Sequence, residues 1–113
     1  MTDSLFSKIY KGQIPGKVIY EDEQCFAIND INPQAPVHIL IIPKKEIAKV
    51  TDASFEEIAL LGHLIYISKK IADLNQLSNN YRLVINNGAE AGQSVFHIHV
   101  HLLGGRSFNW PPG

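Results

Sequence analysis

The residues that could do chemistry are concentrated between Gly92 and Gly105. There His97, His99 and His101 alternate with the apolar residues Phe96, Ile98, Val100 and Leu102. Read as a β-strand, alternate side chains point to opposite faces, so the three imidazoles share one face and the apolar set takes a buried one. Desolvating three polar rings side by side calls for a compensating use. Two chemistries compete. One is metal binding, because imidazole is a common zinc ligand. The other is nucleophilic or acid–base work on a phosphorus or acyl centre. Strand rise puts alternate Cα atoms about 6.6 Å apart and the outer two about 13 Å apart, whereas two nitrogens on one zinc lie within about 4 Å. His97 and His99 could share a metal; His97 and His101 could not easily do so on one extended strand. No cysteine pair or matching carboxylate adds ligands. A central nucleophile flanked by two helpers uses all three rings.

The strand is entered from a loop of small and polar residues, Asn86 to Gly92, followed by Gln93 and Ser94. Glycine lets backbone N–H groups approach a ligand, and such groups suit an anion. The loop therefore reads as a phosphate cradle beside the histidines. His38, near the start of the apolar run Val37–Ile42, is a fourth member of the site if the two strands are neighbours.

The elements that must position these residues follow from pattern. Asp3 to Gly12 reads as a short helix, capped by Ser4 or Asp3 and stopped by Gly12. Val18–Tyr20 and Cys25–Asn29 read as strands around a charged turn, Glu21-Asp22-Glu23. Asp30 to Pro36 is a loop rich in turn formers, and Val37–Ile42 is a strand covered on both faces. A helix from about Ser54 to Leu74 opens on a Ser54/Glu57 capping box. It carries two apolar stripes, Phe55/Ile58/Leu61/Ile65 and Leu60/Leu64/Ile67/Ile71, one for the sheet and one for a partner subunit. His63, within it, reads as structural. Tyr81–Ile85 is a further strand. Without a repeating βαβ order the class is α+β: an antiparallel sheet of about five strands with one long and one short helix.

A chain of 113 residues, 45% hydrophobic, fits one domain spanning 1–113. Its net charge of −1, from 10 basic and 11 acidic residues, argues against a nucleic-acid binder. The lone Cys25 reads as a core residue in a reducing compartment. The start lacks a basic-then-apolar leader, and no apolar run approaches the length of a membrane span. The expectation is a soluble, cytoplasmic protein without membrane contact.

His97-Ile98-His99-Val100-His101-Leu102-Leu103 resembles the signature of the histidine triad superfamily. Tyr20-Glu21-Asp22, Pro33-Gln34-Ala35-Pro36, His38, Ile42-Pro43-Lys44-Lys45, Gly92-Gln93-Ser94-Val95 and Trp110-Pro111-Pro112-Gly113 resemble its nucleotide-binding (Hint) branch, over nearly the whole chain. The resemblance implies a purine nucleotide-binding hydrolase of nucleoside phosphoramidates and acyl-nucleotides, binding AMP, GMP or adenosine and using no cofactor. It places His99 as nucleophile, through a covalent nucleotidyl-histidine. His97, His101, Gln93 and Ser94 would hold phosphate oxygens, with Ser94 or His101 delivering a proton and His38 in support. Asp30 would meet the ribose, Ile31 the base, and Asn86 and Gly92 the phosphate or sugar end. It also implies a homodimer joining two sheets, with the Trp110 tail near the partner's site. A third-position histidine, where transferases of the superfamily have glutamine, favours hydrolysis. Glu46 stands where some relatives have histidine and would change only pocket-rim detail. A zinc protein using His38, His97 and His99, and an adaptor with vestigial catalysis, are the alternatives.

Overall fold

The structure, a computed structural model, describes residues 3–113. Met1 and Thr2, where the reading of the chain's start begins, lie outside the described residues. The first helix, α1 (Leu5–Tyr10), is capped by Ser4, whose Oγ accepts the Ser7 N–H at 3.0 Å. It stops at Gly12, which takes a left-handed φ of +75° that a side chain would strain. Strands β1 (Val18–Glu21) and β2 (Cys25–Asn29) form a hairpin. Its turn is set by Asp22 Oδ1, which accepts the N–H groups of Gln24 and Cys25 at 2.7 and 2.8 Å.

Strand β3 (Val37–Pro43) is the middle of a five-stranded antiparallel sheet. It pairs with β2 on one side and with β5 (Val100–Gly104) on the other. The sheet order is β1-β2-β3-β5-β4, with β4 (Tyr81–Val84) at the far edge. This is the α+β architecture expected from the sequence. Alternation divides the strands between two cores. Ala27, Ile39, Ile41, Val100 and Leu102 pack against Leu64, Ile67 and Ile71 of the long helix α2 (Ile58–Leu74). Phe26, Ile28, Leu40 and Ile42 pack against Phe6 of α1 on the opposite face. Both faces of β3 are thereby buried, which is why its sequence is nearly all apolar.

α2 is preceded by a 3₁₀ turn, Phe55–Glu57. Glu57 reaches back, its Oε1 accepting from Ser54 N–H and Oγ at 2.7 and 2.9 Å. The stripe Leu64/Ile67/Ile71 is buried, while Phe55, Ile58 and Ile65 of the other are exposed in the single chain. No helix of the described residues is long and apolar enough to cross a membrane.

The histidine segment departs from its expected form. Only Val100–Gly104 is strand; Gln93–His99 is irregular. The β3–β5 ladder ends at Ile41↔Val100. Beyond it, the side chain of His99 bonds the carbonyl of His97 at 2.8 Å, a local bond that competes with the ladder. The Ile98 N–H turns to Ile47 O at 2.8 Å. Phe96, expected in the core, is about half exposed, whereas Ile98, Val100 and Leu102 are buried as expected.

Leu64 is the most completely buried of the large apolar side chains that α2 packs against the sheet. Leu64→Ala is therefore expected to destabilise the fold by about 2–5 kcal/mol in urea unfolding, leaving the slope of the transition unchanged.

Candidate functional site

On the α1 face of the sheet a cavity of about 250 Å³ opens between the end of β2, α1 and the histidine segment. Leu5, Phe6 and Ile9 of α1 form one wall, Ile28 and Leu40 the floor, and Asp30 and Ile31 the rim. Ser94, His99 and His101 face them. Ile31 is 99% exposed, an apolar side chain held at the mouth.

The ring protonation states follow from hydrogen-bond partners. A carbonyl only accepts, so the 2.8 Å contact of His99 Nδ1 with the His97 carbonyl puts the proton on Nδ1. The lone pair of His99 is then on Nε2. A second chain of bonds fixes His101. The Gln34 backbone N–H donates to His38 Nδ1 at 3.0 Å, so that nitrogen is unprotonated. His38 therefore carries its proton on Nε2 and donates it to His101 Nδ1 at 2.9 Å. Asp30 Oδ2, 3.3 Å from the same nitrogen, is the longer contact. His101 must then be protonated on Nε2. Among the described residues no buried side-chain nitrogen or oxygen lacks a partner, so the remaining Nε2 atoms of His99 and His101 reach the cavity. The two rings lie edge to face with centroids 4.9 Å apart. One nitrogen offers a lone pair and its neighbour offers an N–H.

His97 behaves differently. Its ring is 0% exposed. Nε2 donates to Pro43 O at 2.7 Å, and Nδ1 accepts from Ser4 Oγ at 2.6 Å. Neither nitrogen is left for a phosphate oxygen, so the expected phosphate contact of His97 is corrected: it serves through its carbonyl, which orients His99. Gln93 is corrected in the same way. Its Oε1 accepts the Gly88 N–H, and its Nε2 donates to Ala48 O and Val95 O, so the side chain knits the loop together. Asn86 and Gly92 adjoin each other and do not line the cavity. Gly92 has φ +102°, and a β-carbon there would come within 3.6 Å of Asn86 Nδ2. Ser94, Asp30, Ile31, His99 and His101 line the cavity, with His38 directly behind His101.

The metal-binding alternative built on His38, His97 and His99 finds no such grouping among the described residues. The sets whose donor atoms converge are Asp30/His38/His101 and Asp22/Cys25/His63. In the second set His63 Nε2 lies 2.8 Å from Asp22 Oδ2 and ties α2 to the hairpin. Burial works to raise the Asp22 carboxyl, but bonds from Gln24, His63, Cys25 and Tyr20 outweigh it and hold it well below the usual carboxylate range. The residues missed in the sequence are those of α1. The spacing of Leu5, Phe6 and Ile9 indicates burial but not against what. Phe6 packs edge-on to His99, with centroids 5.0 Å apart.

The HIT domain model matches residues 11–108. An uncharacterized HIT-like protein of Synechocystis sp. is 54% identical over 98% of this chain and 97% of its own length. The crystal structure of a HIT family hydrolase from Legionella pneumophila superposes with a TM-score of 0.94 at 49% identity, covering 98% of this chain and 100% of that one. A histidine triad nucleotide-binding protein from Candida albicans superposes with a TM-score of 0.81 at 32% identity, over 96% and 83% of the two chains. The chain belongs to the HIT family.

Burial pushes the pKa of His97 and of His99 down. It pushes His101 down to about 4, helped by the neighbouring His99 and His38. The folded protein thus holds these rings neutral where the unfolded chain, near pKa 6.5, takes up protons. Stability is expected to be complete above about pH 6.5 and to fall as the pH drops toward 5. Urea midpoints measured across that window check this, and His101→Asn should flatten the slope.

Proposed function

We propose that the chain is a nucleotide-binding hydrolase of the Hint branch that cleaves purine nucleoside 5′-phosphoramidates and acyl-nucleotides, with AMP, GMP or adenosine as ligands. The observation that carries this reading is the 2.8 Å bond from His99 Nδ1 to the His97 carbonyl, which leaves a lone pair on Nε2 at the cavity. A neutral imidazole so oriented is a nucleophile at neutral pH. Its Nε2 attacks the α-phosphorus, the P–N bond breaks, and the amine leaves with a proton from His101 Nε2 or from Ser94. The charge gained by the His99 ring is shared with the His97 carbonyl. Water then attacks the nucleotidyl-His99, returning a proton to the group that protonated the amine, breaking P–Nε2 and releasing the mononucleotide. The His101 N–H is placed to hold a phosphate oxygen as negative charge grows.

The shape of the cavity supports a mononucleotide. Its apolar walls suit a flat base, with Ile31 at the mouth and the Asp30 carboxylate at the rim for ribose hydroxyls. At about 250 Å³ it is no larger than the smallest usual ligand pockets, a size for one nucleoside. The homodimer belongs to the same proposal. Phe55 in the turn before α2, with Ile58, Ile65 and Tyr66 on the helix, leaves apolar surface. Trp110 is 83% exposed at the end of a tail anchored by Arg82 Nη2 to Asn109 O at 2.9 Å. A second subunit would cover both.

His99→Ala is expected to lower turnover of an adenosine phosphoramidate by at least about 10⁴-fold while AMP binding persists. His101→Ala should cost about 10²–10⁴-fold. Amine release followed alongside AMP titration tests both, and turnover retained in His99→Ala would remove His99 from the role.

A further inference from the structure

A polar cluster grips the histidine segment from the side away from the cavity. Glu46, three residues past the end of β3, has its Oε1 2.8 Å from the Ser4 backbone N–H and 2.9 Å from Ser7 Oγ, and accepts from both. Ser4 Oγ already accepts the Ser7 N–H. Its single proton is therefore directed to His97 Nδ1, 2.6 Å away. With His97 Nε2 donating to Pro43 O, the ring is confined to one tautomer. The backbone is held alongside, the Ile98 N–H donating to Ile47 O. Residues 43–47 thus hold residues 97–98 by three routes: the carbonyls of Pro43 and Ile47, and Glu46 through Ser4.

α1 is six residues long, far shorter than a helix that is stable by itself. Its place depends on Phe6 in the core and on the polar tethers of Ser4 and Ser7. Leu5, Phe6 and Ile9 form a wall of the cavity, and Phe6 packs on His99. A loosened α1 would therefore disturb the ligand wall and the nucleophile together.

We infer that Glu46 is a positioning residue of this site: by tying down Ser4 and Ser7 it fixes the His97 ring, and with it the wall against which His99 stands. The kinetic consequence rests on the reading of His99 as nucleophile; the effect on His97 does not. A carboxylate suits the task because a charged acceptor holds two donors more strongly than a neutral one. Those two bonds, from the Ser4 backbone and then Ser7, keep its own pKa low. Its charge also works against the burial that pushes His97 down.

The test compares Glu46→Ala, Glu46→Gln and Ser4→Ala by ¹⁵N NMR of the histidine rings in nucleotide-free protein, with AMP titration and kcat and KM on an adenosine phosphoramidate. In Glu46→Ala the His97 signals should move from one tautomer toward an average, and AMP affinity should fall by about tenfold, the equivalent of one charge-assisted hydrogen bond. Glu46→Gln, which keeps the acceptor oxygen, should recover most of that affinity, yet its His97 should titrate at lower pH than in the wild type. Ser4→Ala should mix the His97 tautomers with the carboxylate intact. A folded Glu46→Ala protein with unchanged His97 signals and unchanged AMP affinity overturns the inference. Should that variant not fold, unchanged His97 signals in Ser4→Ala together with an unshifted His97 titration in Glu46→Gln do the same. If the wild type binds no AMP, the nucleotide reading fails, and the His97 signals still decide the role of Glu46.

Discussion

The site depends on one hydrogen bond between neighbours in the chain, from His99 Nδ1–H to the carbonyl of His97. It fixes a tautomer, turns the opposite nitrogen toward the cavity, and gives the ring a partner on which positive charge can be shared. An imidazole without such a bond would divide its time between two protonation patterns, only one of which leaves Nε2 free. The bond cannot form in a regular strand, where a side chain projects away from its own backbone. That requirement explains why the strand starts only at Val100 and why residues 97–99 are held by the segment after β3.

The rest of the molecule supplies the frame. The central strands set His38 beside His101 through adjacent registers, His38↔Leu103 and Leu40↔His101. A single backbone N–H, that of Gln34, then determines the protonation of two rings in succession. The loop rich in turn formers that precedes β3 acts at a distance in this way. α2 fills the other face and lines none of the cavity, so its contribution is the core against which the sheet packs. Three imidazoles kept neutral by burial are a cost to the fold below about pH 6.5.

Much of this was legible in the sequence. The nearly all-apolar run Val37–Ile42 gave a doubly buried strand, Ser4 and Gly12 bounded α1, and the Ser54/Glu57 spacing located the turn that leads into α2. Three histidines in five residues marked the candidate site, and His38 lies against His101. What escaped was set by tertiary contact. Strand periodicity put the three rings on one face as equals, but both His97 nitrogens are taken by Ser4 and Pro43, partners remote in sequence. Gln93 looked like a free donor and is consumed by Gly88, Ala48 and Val95. Glu46 looked like rim detail because nothing local reveals that an exposed carboxylate grips two serines some forty residues earlier. His63 carries no hint in its helix of Asp22 on the facing hairpin. Periodicity reports which face a side chain takes, not which donor waits there.

The central claim is that His99 Nε2 becomes bonded to phosphorus. The most direct measurement is rapid quenching of the protein with a nucleoside phosphoramidate under single-turnover conditions, followed by peptide mass spectrometry under conditions that preserve a P–N bond. The account predicts a mononucleotide adduct on the peptide containing the triad, with fragmentation placing it on His99. An adduct on His97 or His101, or turnover in which no adduct accumulates even when hydrolysis of the intermediate is slowed, would contradict it.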